Sequence, residues 1–187
     1  MPGSLDSPVK ASEMRCELLP FPDPTERMEA ALLDLALLSR GGESAAHVMA
    51  TGEIVPRLWD ITTICDPVLL EETWEWLRAF VYWLNSQHAW FSSDLTPSCW
   101  EQHPSLVHQL GSLAASRYFA GEATDAAAIE EWHRYALPTF LERTREQRHG
   151  CEERHMPWPA RAAHQRAMST AAGVRPPTSL VALPQAD

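Results

Sequence analysis

Cys99 and His103 stand four residues apart, and the same spacing recurs at Cys151 and His155. Two thiols and two imidazoles are the donor set of a closed tetrahedral zinc site. On one helical turn, side chains four apart point the same way, so each pair can grip one ion. Zinc would hold both sulfurs as thiolates. Four protein ligands would leave no open coordination position, which makes such a site structural rather than catalytic. The two pairs are 48 residues apart, unlike a compact zinc finger. Three other readings use the same residues. They are ordinary core thiols with surface imidazoles, a redox-labile Cys99–Cys151 pair, and a catalytic thiol. In the last, Cys99 lies near a helix start, where the dipole favours thiolate, and His103 or His133 serves as base.

Other polar clusters offer less. Glu130-Glu131-Trp132-His133-Arg134-Tyr135 gathers charge on one turn. Neighbouring carboxylates on a helix point apart, so these read as solvated charges around a buried Trp132 rather than an acid–base dyad. The chain has no Gly-rich phosphate loop, no His-Glu-x-x-His and no nucleophile elbow. It does have eight tryptophans. Trp76, Trp83 and Trp90 recur every seven residues, a stripe that serves core packing or, if exposed, docking.

The elements that must position these residues read as helices. Asp23 can cap a first helix, with Pro24 at its first position and Glu26 at its third. Met28, Ala31, Leu32, Leu35 and Ala36 follow helical spacing up to Gly41-Gly42. Residues 43–65 read as one or two short helices, with Leu58, Trp59, Ile61 and Ile64 turned inward. Asp66-Pro67 opens the longest helix, to about Phe91. One stripe of it is Leu70, Trp74, Leu77, Val81 and Leu84, with His88 in register, and Trp74, Leu77, Val81 and Leu84 are expected to be buried. Pro104 disfavours helical geometry at His103 and starts a helix that Gly121 stops. Thr124 can cap the last helix, whose inner face is Ile129, Trp132, His133, Ala136 and Leu137. Pro138 should kink or divide it. The helices after Pro104 and after Thr124 would each run roughly 25–35 Å at 1.5 Å per residue. Going out and back, they would return Cys151 to Cys99.

Composition bounds the rest. The chain has 187 residues, 45% apolar, enough for one domain with a real core. Its net charge of −10 argues against nucleic-acid binding by the body. Basic residues exceed acidic ones only after residue 150, at Arg154, Arg161, Arg166 and Arg175. No run of about eighteen apolar residues spans a membrane and no signal-peptide core opens the chain, so it reads as cytoplasmic. Four cysteines are too few for a disulfide scaffold. Residues 1–22 read as a disordered leader, 23–159 as a single helical domain and 160–187 as a disordered tail.

Trp74-Glu75-Trp76-Leu77, Cys99-Trp100 with His103-Pro104, Trp132-His133-Arg134-Tyr135, Cys151-x-x-x-His155 and Trp158-Pro159 resemble a family of short, Trp-rich, acidic, uncharacterised proteins of high-GC Gram-positive bacteria. The likeness covers roughly residues 54–160. It implies a cytoplasmic protein associated with plasmids or integrative elements and brings no assigned activity. The sequence therefore predicts an all-α irregular bundle of five to seven helices. Its expected function is a non-enzymatic interaction or accessory protein with an unidentified protein partner. It would be braced by zinc at Cys99, His103, Cys151 and His155. The alternatives are a thiol- or metal-dependent hydrolase and a DNA-associated regulator using the basic tail.

Overall fold

Thr25, not Asp23, caps the first helix. In the computed structural model, which describes residues 17–50 and 55–149, α1 spans Glu26–Arg40 and the Thr25 hydroxyl accepts from the Met28 N–H at 3.3 Å. The cap falls two residues later than expected because Pro24 belongs to the extended lead-in, where it is buried. Gly41 and Gly42 carry φ of 71° and 81°, values that glycine adopts at little cost. They end α1 and open α2, Gly42–Ala50. α2 is one of the short helices expected over 43–65, and residues 55–66 add a bend and a single 3-10 turn at Ile61–Thr63. Asp66 caps α3, Pro67–Gln87, by accepting from Val68 N–H at 3.1 Å, with Pro67 at the first position as expected. α3 is shorter than the sequence suggests. His88 leaves helical geometry (φ −129°), and its N–H closes the last turn on Leu84 C=O at 2.9 Å.

Two 3-10 turns, Ser92–Asp94 and Trp100–Gln102, lead to α4, Pro104–Gly121. A last rod comprises α5, Ala127–Glu131, a π turn, Trp132–Ala136, and α6, Leu137–His149. Asp125 rather than Thr124 supplies its start, accepting from Ala127 N–H at 2.8 Å. Pro138 does not end the rod but stands where a π turn separates α5 from α6. It has no N–H to donate and its ring crowds the carbonyl four residues back. The wider π turn falls in the five residues that precede Leu137 and Pro138 and takes up that misfit. Among the described residues four helices exceed ten residues (α1, α3, α4 and α6), fewer than the five to seven expected. The shortfall arises because α2 and α5 are short and 55–66 turns instead of coiling. Among the described residues no strand forms beyond an isolated bridge between Arg57 and Asp60, and no helix is long and apolar enough to cross a membrane.

α3 packs against both α1 and α4. Leu69, Thr73, Trp76, Leu77, Phe80, Val81, Trp83 and Leu84 are all buried. Leu77, Val81 and Leu84 sit inside as expected, but Trp74 does not. It is half-buried, tilted against Trp100 at 5.9 Å, while Trp76 and Trp83 go inward. Positions 69, 73, 76, 80, 83, 84 share one broad face, and Trp74 falls on its edge. α4 and the α5–α6 rod are antiparallel. Trp132 Nε1 donates to Leu113 C=O at 3.3 Å, while Gln147 Nε2, near the far end, donates to Ser105 Oγ at 3.4 Å.

Residues 17–25 form an extended strap across α3, although the sequence places 17–22 in the leader. Leu19 and Phe21 pack on the core. Trp83 Nε1 donates to Leu19 C=O at 3.1 Å and Trp76 Nε1 to Pro22 C=O at 2.9 Å. Phe21 meets Trp76, Phe80 and Trp83 edge-on.

Candidate functional site

Cys99 and His103 are brought together by a turn, not by a helix. Cys99 precedes the 3-10 turn Trp100–Gln102, whose Trp100 is buried and anchors it. His103 takes an extended conformation (φ −115°, ψ 92°), as Pro104 requires. The result places Cys99 Sγ 3.5 Å from His103 Nε2. Bond lengths of 2.3 Å and 2.0–2.1 Å at a tetrahedral angle separate sulfur and nitrogen ligands of one zinc by about 3.6 Å. The same distance suits a thiol–imidazole hydrogen bond. Cys151 and His155 lie outside the described residues. Among the described residues no group of three or more His, Cys, Asp or Glu side chains is placed to hold a metal. The Gln147–Ser105 hydrogen bond does set the end of α6 beside the start of α4. Ser105 is two residues after His103, and Gln147 is four before Cys151.

His133, the other base proposed for Cys99, is exposed rather than on the inner face. The π turn changes the register there, and the ring packs 5.5 Å from His88. Glu130 and Arg134 form an exposed ion pair at 3.1 Å, the solvated face that sequence suggests.

A second cluster was only half visible in the sequence. His88 sits at the end of α3 with its ring 4.6 Å from Trp83 and 5.5 Å from Trp132. Burial, then the nearby His133 and Arg117, push its pKa down to about 4. Arg117 lies over Phe21, Trp83 and Trp132 at 5.1, 5.6 and 5.8 Å, a cation held by aromatic faces. Its Nε is buried with no hydrogen-bond acceptor, and burial lowers its pKa. The signal for Arg117 was its register: it continues Leu110, Leu113 and Ala114, where α4 calls for an apolar side chain.

The loop after α3 presents aromatic surface. Trp90 is 86% exposed and Phe91 64%. The loop is nonetheless fixed. Asn85 both donates to Thr96 C=O at 3.0 Å and accepts from Thr96 N–H at 2.8 Å. Asp94 accepts from Phe91 N–H at 3.1 Å. Buried Arg148 donates to Ser93 C=O and, at 2.7 Å, to Leu141 C=O. Trp90 thus leaves the stripe of Trp76 and Trp83, because α3 ends before reaching it.

No family model, curated protein or solved structure matches the chain.

Proposed function

We propose that this chain is a non-enzymatic interaction protein that contacts a protein partner through the Trp90–Phe91 loop. The observation that carries this reading is two large aromatic side chains left in water on a loop pinned at Asn85, Asp94 and Arg148. Tryptophan dominates the energetics of many interfaces, and a rigid loop loses little entropy on docking. A partner with an apolar cleft suits the pair. The test compares wild type with a Trp90→Ala/Phe91→Ala double variant as baits in lysate of the source organism. A partner is then purified and titrated against both. The expected result is a loss of about 2–4 kcal/mol of affinity at unchanged melting temperature. Equal affinity of the two baits sinks the reading.

The body would be braced by one zinc ion held by Cys99, His103, Cys151 and His155. The 3.5 Å Cys99–His103 approach and the return of α6 to the start of α4 support this. Metal analysis of protein purified without a metal-affinity tag should find one zinc per chain, lost in Cys99→Ser. Metal-free protein with a rapidly alkylated Cys99 would favour the thiol-enzyme alternative instead. The suggestion that it is an accessory protein of a mobile element rests on the family resemblance alone.

A further inference from the structure

Leu19-Pro20-Phe21-Pro22-Asp23-Pro24 has proline at every second position. Each proline fixes its own φ, and each residue before a proline is driven to extended geometry. The segment is therefore preset as an extended, polyproline-like ribbon before it meets anything. α3 receives it with four side chains, read in antiparallel order. Gln87 Nε2 donates to Glu17 C=O at 3.4 Å and its Oε1 accepts from Leu19 N–H at 3.3 Å. Trp83 takes Leu19 C=O and Trp76 takes Pro22 C=O. Glu72 accepts from the Thr25 hydroxyl at 2.6 Å.

The spacings match for a physical reason. Trp76 and Trp83 are two helical turns apart, about 10.5 Å along the axis. Leu19 and Pro22 are one polyproline turn apart, about 9.3 Å. Indole N–H groups donating to carbonyls of a proline-spaced ribbon, with aromatic faces around it, are the general means of reading such ligands. Between the two carbonyls, Phe21 enters a slot made by Trp76, Phe80, Trp83 and Arg117. Across residues 19–22 the groove takes backbone groups, the apolar Leu19 and one aromatic anchor, Phe21. On its C-terminal side the strap joins α1 through Asp23-Pro24-Thr25, so its release breaks no described helix.

We propose that the indole-lined face of α3 is a recognition groove for extended apolar-Pro-aromatic-Pro segments of a partner protein, with residues 19–22 as the built-in occupant that such a segment displaces. The proposal rests on α3 and not on the Trp90 loop.

The probe is a fluorescent synthetic peptide of residues 17–25, titrated by polarisation against the full chain and its Phe21→Ala variant. Removing the anchor should loosen the strap, so Phe21→Ala should bind the peptide at least ten-fold more tightly than wild type. Trp76→Phe in the same background should weaken binding several-fold, since it removes the N–H and keeps a ring. A peptide with alanine at both inner prolines should also bind several-fold less. Phe21→Ala that is folded yet binds no peptide would falsify the proposal, as would equal binding of the alanine peptide. Should Phe21→Ala fail to fold, a spin-labelled peptide in excess over nitrogen-15-labelled wild type decides. Selective broadening of the Trp76 and Trp83 indole signals supports displacement, and no broadening overturns it. A concentration-dependent dimer of wild type that Phe21→Ala abolishes would overturn the partner assignment in favour of strap exchange between two copies.

Discussion

Acidification should destabilise this protein through His88. An unperturbed imidazole in the unfolded chain has a pKa near 6.5, against about 4 in the fold. As pH falls below about 6.5, the unfolded state takes up a proton that the folded state refuses, so stability drops. The loss begins at about 6.5 and is complete near 4, below which both states are protonated. At pH 5 the linkage relation gives about 2 kcal/mol for these two values, relative to neutral pH. The His88 ring is half-buried, and solvent screening trims this to about 1–1.5 kcal/mol. Replacing His88 by phenylalanine keeps a ring between Trp83 and Trp132 and removes the titration. The assay is urea unfolding followed by tryptophan fluorescence at pH 7.5 and pH 5.0 for both proteins. The other ionisable groups cancel in the difference of differences. His88→Phe should lose about 1–1.5 kcal/mol less than wild type between the two pH values. Identical losses would show that His88 is accessible to protons in the fold and that the aromatic enclosure described above is wrong.

Three further outcomes follow from the packing. Trp83→Ala should cost about 3–5 kcal/mol and Trp74→Ala clearly less, because Trp83 is buried and Trp74 sits at the edge of the face; chemical denaturation that ranks them the other way contradicts the burial. Thr25→Ala should cost about 1 kcal/mol by removing the α1 cap, while Asp23→Ala should be nearly silent, and the two midpoints measure the difference. A zinc chelator should lower the melting temperature of wild type and leave Cys99→Ser unmoved, since metal binding and folding are linked; equal shifts in both would exclude a site at Cys99.

The Pro and Gly punctuation was legible because it acts within a few bonds. Asp66-Pro67, His103-Pro104 and Gly41 mark helix ends in both sequence and structure, since a proline's ring and a glycine's missing Cβ act whatever surrounds them. The helical period placed Leu77, Val81 and Leu84 inside for the same reason. Near-degenerate choices were not legible. Asp23 and Thr25 could each cap, and selection between them depended on where the strap met α3. Trp74 and Trp76 belong to overlapping stripes, and the neighbours of α3 decided which was covered. Cys99 and His103 were legible as a pair by spacing, but the turn that brings them to 3.5 Å depends on buried Trp100 and extended His103. Arg117 and the strap were the least visible. A cation on an apolar register is tolerated only when aromatic faces from three distant segments converge on it. A proline-spaced segment looks like a loose end until two indole N–H groups stand at its own repeat. Sequence by itself determined the local rules of each helix. Tertiary structure alone decided which side chains separated by dozens of residues would share a cage, because those energies exist only once both partners have left water.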